Sequence, residues 1–132
     1  MRAIIPGLLW IGNAHELQDV SAVLRLGVRA IVDLAANEAP VRYPRDIAYC
    51  RLPLVDGPGN DAAILRLAVL SAVELIRAEA PCLIACSAGM SRSPAIAAAA
   101  LAIIDHQVPD EVLTELVSKL KVRGDHSRLL LG

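Results

Sequence analysis

Short apolar runs alternate along the chain with stretches in which apolar residues recur every three or four positions, and Gly, Pro and charged residues separate the two. Leu8 to Ile11 reads as a short strand closed by Gly12 and Asn13, and His15 to Leu26 as a helix stopped by Gly27. Val28 to Leu34 is a mostly apolar, β-branched run of the kind found in buried parallel strands. Ala35 to Asp46 carries two prolines and several charges and reads as a surface loop. Ile47 to Leu54 gives another strand. Asp56-Gly57-Pro58-Gly59-Asn60 is dense turn chemistry, with Asn60 or Asp61 placed to cap a helix running to about Ala80. Pro81 ends that helix, and Cys82 to Ala85 forms a fourth core strand. Pro94 to Asp105 is a helix so rich in Ala that it can approach a sheet closely. A last helix is expected from Pro109 or Asp110 to Lys121, with Asp110 and Glu111 at its positive end and Lys119, Lys121 and Arg123 at its negative end. Strands alternating with helices predict an α/β fold, a mainly parallel sheet covered on both faces.

Composition narrows the picture. A chain of 132 residues, 55% of them apolar, fits one core and hence a single domain over 1–132, since such cores commonly run to ~100–150 residues. The formal net charge is −1, with basic and acidic residues interspersed, so neither nucleic acid nor an anionic membrane is an indicated partner. Glu74, Arg77 and Arg92 interrupt the apolar stretches before they reach the ~20 residues a membrane span needs. The three cysteines, Cys50, Cys82 and Cys86, have no metal-ligand spacing, and no basic start with an apolar run marks a signal peptide. A reducing, cytoplasmic setting is expected, and a monomer.

The chemistry concentrates in Cys86-Ser87-Ala88-Gly89-Met90-Ser91-Arg92-Ser93-Pro94, between an apolar strand and a helix start. A loop running from the carboxyl end of a strand into a helix N-terminus aims several backbone N–H groups at one point, which makes an anion site. Gly89 suits the tight backbone of such a cradle, the small Ser87 and Ala88 leave the amides accessible, and Pro94 in the first turn gives up no needed N–H. Met90 and Ser91 complete the phosphate-binding loop, and Arg92 closes it with a fork to two phosphate oxygens. The helix terminus and the guanidinium both favour thiolate at Cys86, which is then a nucleophile facing the bound phosphoryl group.

Cys-x5-Arg-Ser is the signature of the cysteine-dependent protein tyrosine phosphatases, and ACSAGMSRSPA resembles the dual-specificity branch. Leu9-Trp10-Ile11-Gly12-Asn13-Ala14 is similar to the opening segment of that family, and Leu52-Pro53-Leu54-Val55-Asp56 resembles the stretch bearing its general acid. The likeness covers residues 8 to about 120. The acid stretch precedes the nucleophile, which argues against the low-molecular-weight phosphatases. The resemblance implies that Cys86 forms a thiophosphate, that Arg92 clamps the phosphoryl group, and that Ser93 assists departure of the Cys86 thiolate. It further implies that Asp56 protonates the leaving group and then deprotonates water. On residues alone Asp56 would be a turn aspartate, and Asp61, its rival, a helix-terminal residue. No cofactor is required, because Arg92 and the loop amides take the place of a metal. Phosphate, sulfate and vanadate are the expected loop ligands, and a phosphorylated protein or small phosphomonoester the substrate.

One departure bears on the thiolate. The family usually has His before the nucleophile, whereas this chain has Ala85, which predicts a less readily formed thiolate and slower turnover than in relatives bearing His. That departure keeps a second class of function open, a phospho-binding module with little chemistry; a rhodanese-type sulfurtransferase is a third. Cys82 is too far along its strand to reach Cys86, whereas Cys50, on another strand, is a candidate resolving thiol. Asp33 reads as a hydrogen-bonded or solvated strand-end carboxylate, Trp10 as a packing residue, and His15, His106 and His126 as isolated, with no metal site. The apolar tail Leu129-Leu130-Leu131 is free to pack back on the core.

Overall fold

A computed structural model of the chain describes residues 1–55, 57–88 and 91–106. In chain order the elements are β1 (Arg2–Ile5), β2 (Leu9–Asn13), α1 (Ala14–Gln18), α2 (Val20–Arg25), β3 (Ala30–Ala35), β4 (Ala48–Leu54), α3 (Ala62–Arg77), β5 (Cys82–Cys86) and α4 (Arg92–His106). They build a five-stranded sheet in the order β1-β2-β5-β3-β4, parallel except where β1 pairs with β2. The α/β class, the mainly parallel sheet and the helices on both faces are as the hydrophobic pattern predicts.

Successive residues of a strand point to opposite faces, and β5 shows the consequence. Cys82, Ile84 and Cys86 join the core formed with α3 and α4, alongside Val69, Val73, Ile96 and Ala100. Leu83 and Ala85 join a second cluster with Trp10, Leu17 and Val23, beneath α1 and α2. A strand buried on both faces has no polar alternation to show, which is why CLIA reads as a continuous apolar run. Pro53 lies in β4, an edge strand, where its missing N–H costs the sheet nothing if that side faces outward.

The structure corrects three expectations. The helix read from His15 to Leu26 is two helices, because Asp19 (φ −84°, ψ 78°) leaves the helical region. Asp19 closes α1 through its N–H on the Glu16 carbonyl and caps α2 by accepting from Ala22 N at 3.1 Å. Periodicity could not show the break, because Leu17 and Val23 still point inward on either side of it. Strand β1 escaped notice because its four residues are exposed or half-buried and acquire a strand's hydrogen bonds only from β2. Finally, α4 begins at Arg92 rather than Pro94; Pro94 then sits in the first turn, where no intrahelical N–H is lost. The helix expected over 109–121, His126 and the Leu129–Leu131 tail lie outside the described residues. Among the described residues no helix is long and apolar enough to cross a membrane.

Candidate active site

The site grows from the junction of β2, β5 and α4. Asn13 ends β2 beside Cys86, its register partner at the end of β5. Its side chain then starts α1 with a capping box, accepting from Glu16 N at 2.8 Å while Asn13 N donates to Glu16 Oε1 at 3.1 Å. Ala14 N donates to the Ser87 carbonyl at 3.3 Å, tying the start of α1 to the first residue after Cys86.

Cys86 is 1% exposed and faces the first turn of α4. Ser93 Oγ lies 3.1 Å from Cys86 Sγ, and Ser93 N donates to the same sulfur at 3.5 Å. Ser93 Oγ also approaches the Gly12 carbonyl at 3.5 Å. With one proton on the hydroxyl, Ser93 can accept from a thiol while turned to Gly12, or donate to a thiolate. Gly12 is itself closely packed: a Cβ there would meet Met1 Cγ at 3.1 Å and Glu16 Oε1 at 3.3 Å.

Arg92 is a charged side chain only 4% exposed. Nη1 donates to the Leu54 carbonyl at 2.6 Å, while Nε, also buried, has no hydrogen-bond partner among the described residues. A buried donor left unpaired costs roughly 1–3 kcal/mol, so Nε is poised for an acceptor that arrives with a ligand. Ser91, 6% exposed, supplies its carbonyl to Ala95 N at 3.1 Å and so leads into α4. Ser87 Oγ is a second buried group without a partner among the described residues, and Ala88 is exposed. Asp56, Gly89 and Met90 lie outside the described residues.

Other candidates resolve into supporting roles. Asp61 caps α3, its carboxylate accepting from Ala63 N at 2.7 Å and Ile64 N at 3.3 Å, which occupies the rival acid. Asp33 is 1% exposed and hydrogen-bonded rather than solvated: it accepts from Ala35 N at 3.0 Å and from the Tyr49 hydroxyl. Tyr49 in turn accepts from Val41 N and stacks on Tyr43, whose hydroxyl donates to the Leu17 carbonyl, so the loop between β3 and β4 is pinned across the sheet face. Burial pushes Tyr49 up to about 12, reinforced by its hydrogen bond to Asp33. Trp10 packs in the second cluster, and His15 and His106 are exposed. Among the described residues no three His, Cys, Asp or Glu side chains gather as metal ligands.

The proposed resolving role of Cys50 fails on geometry. Cys50 pairs with Val32 and Val32 with Ile84, which puts Cys50 two strands from β5 and two residues short of Cys86. At ~4.8 Å per strand and ~3.3 Å per residue the two Cα atoms are ~12 Å apart, well beyond the ~7 Å a disulfide allows. Cys82 is fully buried, and burial pushes its thiol up to about 11. Sequence reading missed the Leu54 and Gly12 carbonyls, since a backbone acceptor carries no residue signal. It also saw Asn60 only as a possible cap.

No family model matches the chain. It is 32% identical over 101 residues to the dual specificity protein phosphatase Mpk3 of Drosophila melanogaster, covering 74% of this chain and 24% of that protein. It is 31% identical over 100 residues to mouse dual specificity phosphatase 28, covering 75% of this chain and 61% of that protein. The chain thus spans less than two thirds of the length of either relative. The crystal structure of human DUSP28 superposes with a TM-score of 0.65 at 24% identity, covering 91% of this chain and 82% of that one. The matched sequence and the shared fold agree with the Cys86–Arg92 signature, and over about three quarters of its length the chain is similar to the dual-specificity phosphatases.

Proposed function

We propose that the chain is a cysteine-dependent phosphomonoester hydrolase, a single catalytic domain over 1–132 that acts on phosphorylated protein. The observation that carries this is the pairing of Ser93 Oγ with Cys86 Sγ at 3.1 Å beside an Arg92 whose buried Nε awaits an acceptor. The phosphoryl group sits over the first turn of α4, its oxygens held by Arg92 and by the amides of residues 87 to 92. The Cys86 thiolate attacks phosphorus, the ester P–O bond breaks, and Asp56 gives its proton to the departing oxygen. In the second step Asp56 takes a proton from water, the resulting hydroxide attacks phosphorus, and the S–P bond breaks. Ser93 turns its hydroxyl from Gly12 to the sulfur and stabilises the released thiolate. Arg92 supplies the charge that a metal supplies elsewhere, and it strengthens its hold as negative charge shifts onto the equatorial oxygens.

The neutral loop, with no basic side chain between Cys86 and Arg92, favours a plain phosphomonoester over a polyphosphorylated ligand. Phosphate release from an aryl phosphate tests the assignment, with native protein, Cys86→Ser and Asp56→Asn compared with and without vanadate. Vanadate-sensitive release that Cys86→Ser abolishes and Asp56→Asn slows is the expected result. Vanadate binding with no release by the native protein would make it a phospho-binding module instead.

A further inference from the structure

The segment that carries Asp56 has little with which to hold itself. Gly57, Pro58 and Gly59 follow it, and both glycines take positive φ, 127° and 94°, so the turn carries no side-chain hydrogen-bonding group of its own. Asn60 supplies what they lack. Its Oδ1 accepts from Val55 N at 2.7 Å, and its Nδ2 donates to the Val55 carbonyl at 3.0 Å and the Gly57 carbonyl at 3.2 Å. One side-chain amide therefore binds the backbone immediately before and immediately after residue 56. The pattern needs one acceptor and two donors on a short stem, which Asp, Ser and Thr do not offer. The far end of the bracket is itself fixed, because the next residue, Asp61, caps α3. On the near side Leu54, one residue before Val55, is held by Arg92.

We infer that Asn60 is the positioning residue of the general acid: it sets the backbone on both sides of residue 56 so that the Asp56 carboxyl is presented to the leaving oxygen. This rests on Asp56 acting as that acid. A side chain that only stabilised the fold would slow all substrates alike. One that acts through the acid slows chiefly those whose leaving group needs a proton.

The test uses aryl phosphates graded from strongly to weakly acidic phenols, with Asn60→Ala, Asn60→Asp, Asp56→Asn and the Asn60→Ala/Asp56→Asn double variant. Asp56→Asn is expected to steepen the dependence of kcat/KM on leaving-group acidity. Asn60→Ala should steepen it in the same sense, losing about tenfold or more on the weakly acidic phenols and little on the strongly acidic ones. In the Asp56→Asn background Asn60→Ala should cost almost nothing further, and vanadate affinity should stay near native. Asn60→Asp keeps the acceptor for Val55 N and loses both donors. It should fall between native and Ala, and it carries the comparison if the Ala variant does not fold. Equal losses across the series, or a loss that persists at full size without Asp56, would overturn the proposal and leave Asn60 a loop brace. A flat series for Asp56→Asn itself would overturn the assignment of the acid, a result separate from either.

Discussion

Arg92 Nη1 donates to the Leu54 carbonyl at 2.6 Å, joining the first residue of α4 to the last residue of β4 across 38 positions of sequence. One guanidinium thereby holds the end of β4, and its buried Nε stays without a partner among the described residues, which in the proposed mechanism is the donor that phosphate meets. Lys has no fork with which to do both. Arg92→Lys should lower kcat/KM and vanadate affinity by about 10²- to 10³-fold even though the charge is kept. Inhibition by vanadate and steady-state kinetics, run together with a thermal melt, check this; near-native vanadate affinity would contradict it.

Ser93 stands between Cys86 Sγ and the Gly12 carbonyl, a geometry suited, in the proposed mechanism, to stabilising the thiolate as it leaves phosphorus. Ser93→Ala should retain the burst of the first step and slow the second by roughly 10- to 100-fold, the worth of a hydrogen bond to a charged group. Rapid-mixing kinetics with an aryl phosphate separate the two phases. Loss of the burst itself would place Ser93 in the first step.

Position 85 bears on the packing of the fold. Ala85 is fully buried among Trp10, Leu17, Val23 and Leu83, with Asp33 as its register partner on β3. Ala85→His forces a larger polar side chain into that cluster and should destabilise the protein by about 1–3 kcal/mol. Urea unfolding of the two proteins measures it. An unchanged midpoint would mean the space for an imidazole already exists.

The tyrosine pair makes stability fall at alkaline pH. Burial lifts both Tyr43 and Tyr49 from about 10 to about 12, so between those values the folded chain keeps protons that the unfolded chain has released. Stability is fully present below about pH 10 and declines as pH rises toward about 12, because unfolding frees the phenolates. Denaturation at stepped pH, with phenolate absorbance followed in parallel, should show that decline. Tyr49→Phe should shallow it. A flat profile would refute the linkage.

Much of the site was legible because its parts are adjacent in sequence. The spacing from Cys86 to Arg92, an apolar run before it and an Ala-rich helix after it specify a strand, a short connection and a helix start. The sheet class was legible for a related reason: a strand buried on both faces writes its environment directly into consecutive residues. The break at Asp19 was not, since a residue that ends one helix and caps the next preserves the apolar spacing on both sides.

The sequence by itself therefore determined the fold class and pointed to the phosphatase resemblance and to Cys86 and Arg92, because each is carried by residues a few positions apart whose types limit the backbone they can adopt. Only the tertiary structure decided that Leu54 is Arg92's partner, that Gly12 receives Ser93, that Asp33 is satisfied by Tyr49, and that Cys50 stands out of reach of Cys86. Those facts follow from the strand order β1-β2-β5-β3-β4 and its register. Strand order is set by the summed burial of whole faces, and backbone carbonyls look alike in every residue, so neither leaves a mark at the positions concerned.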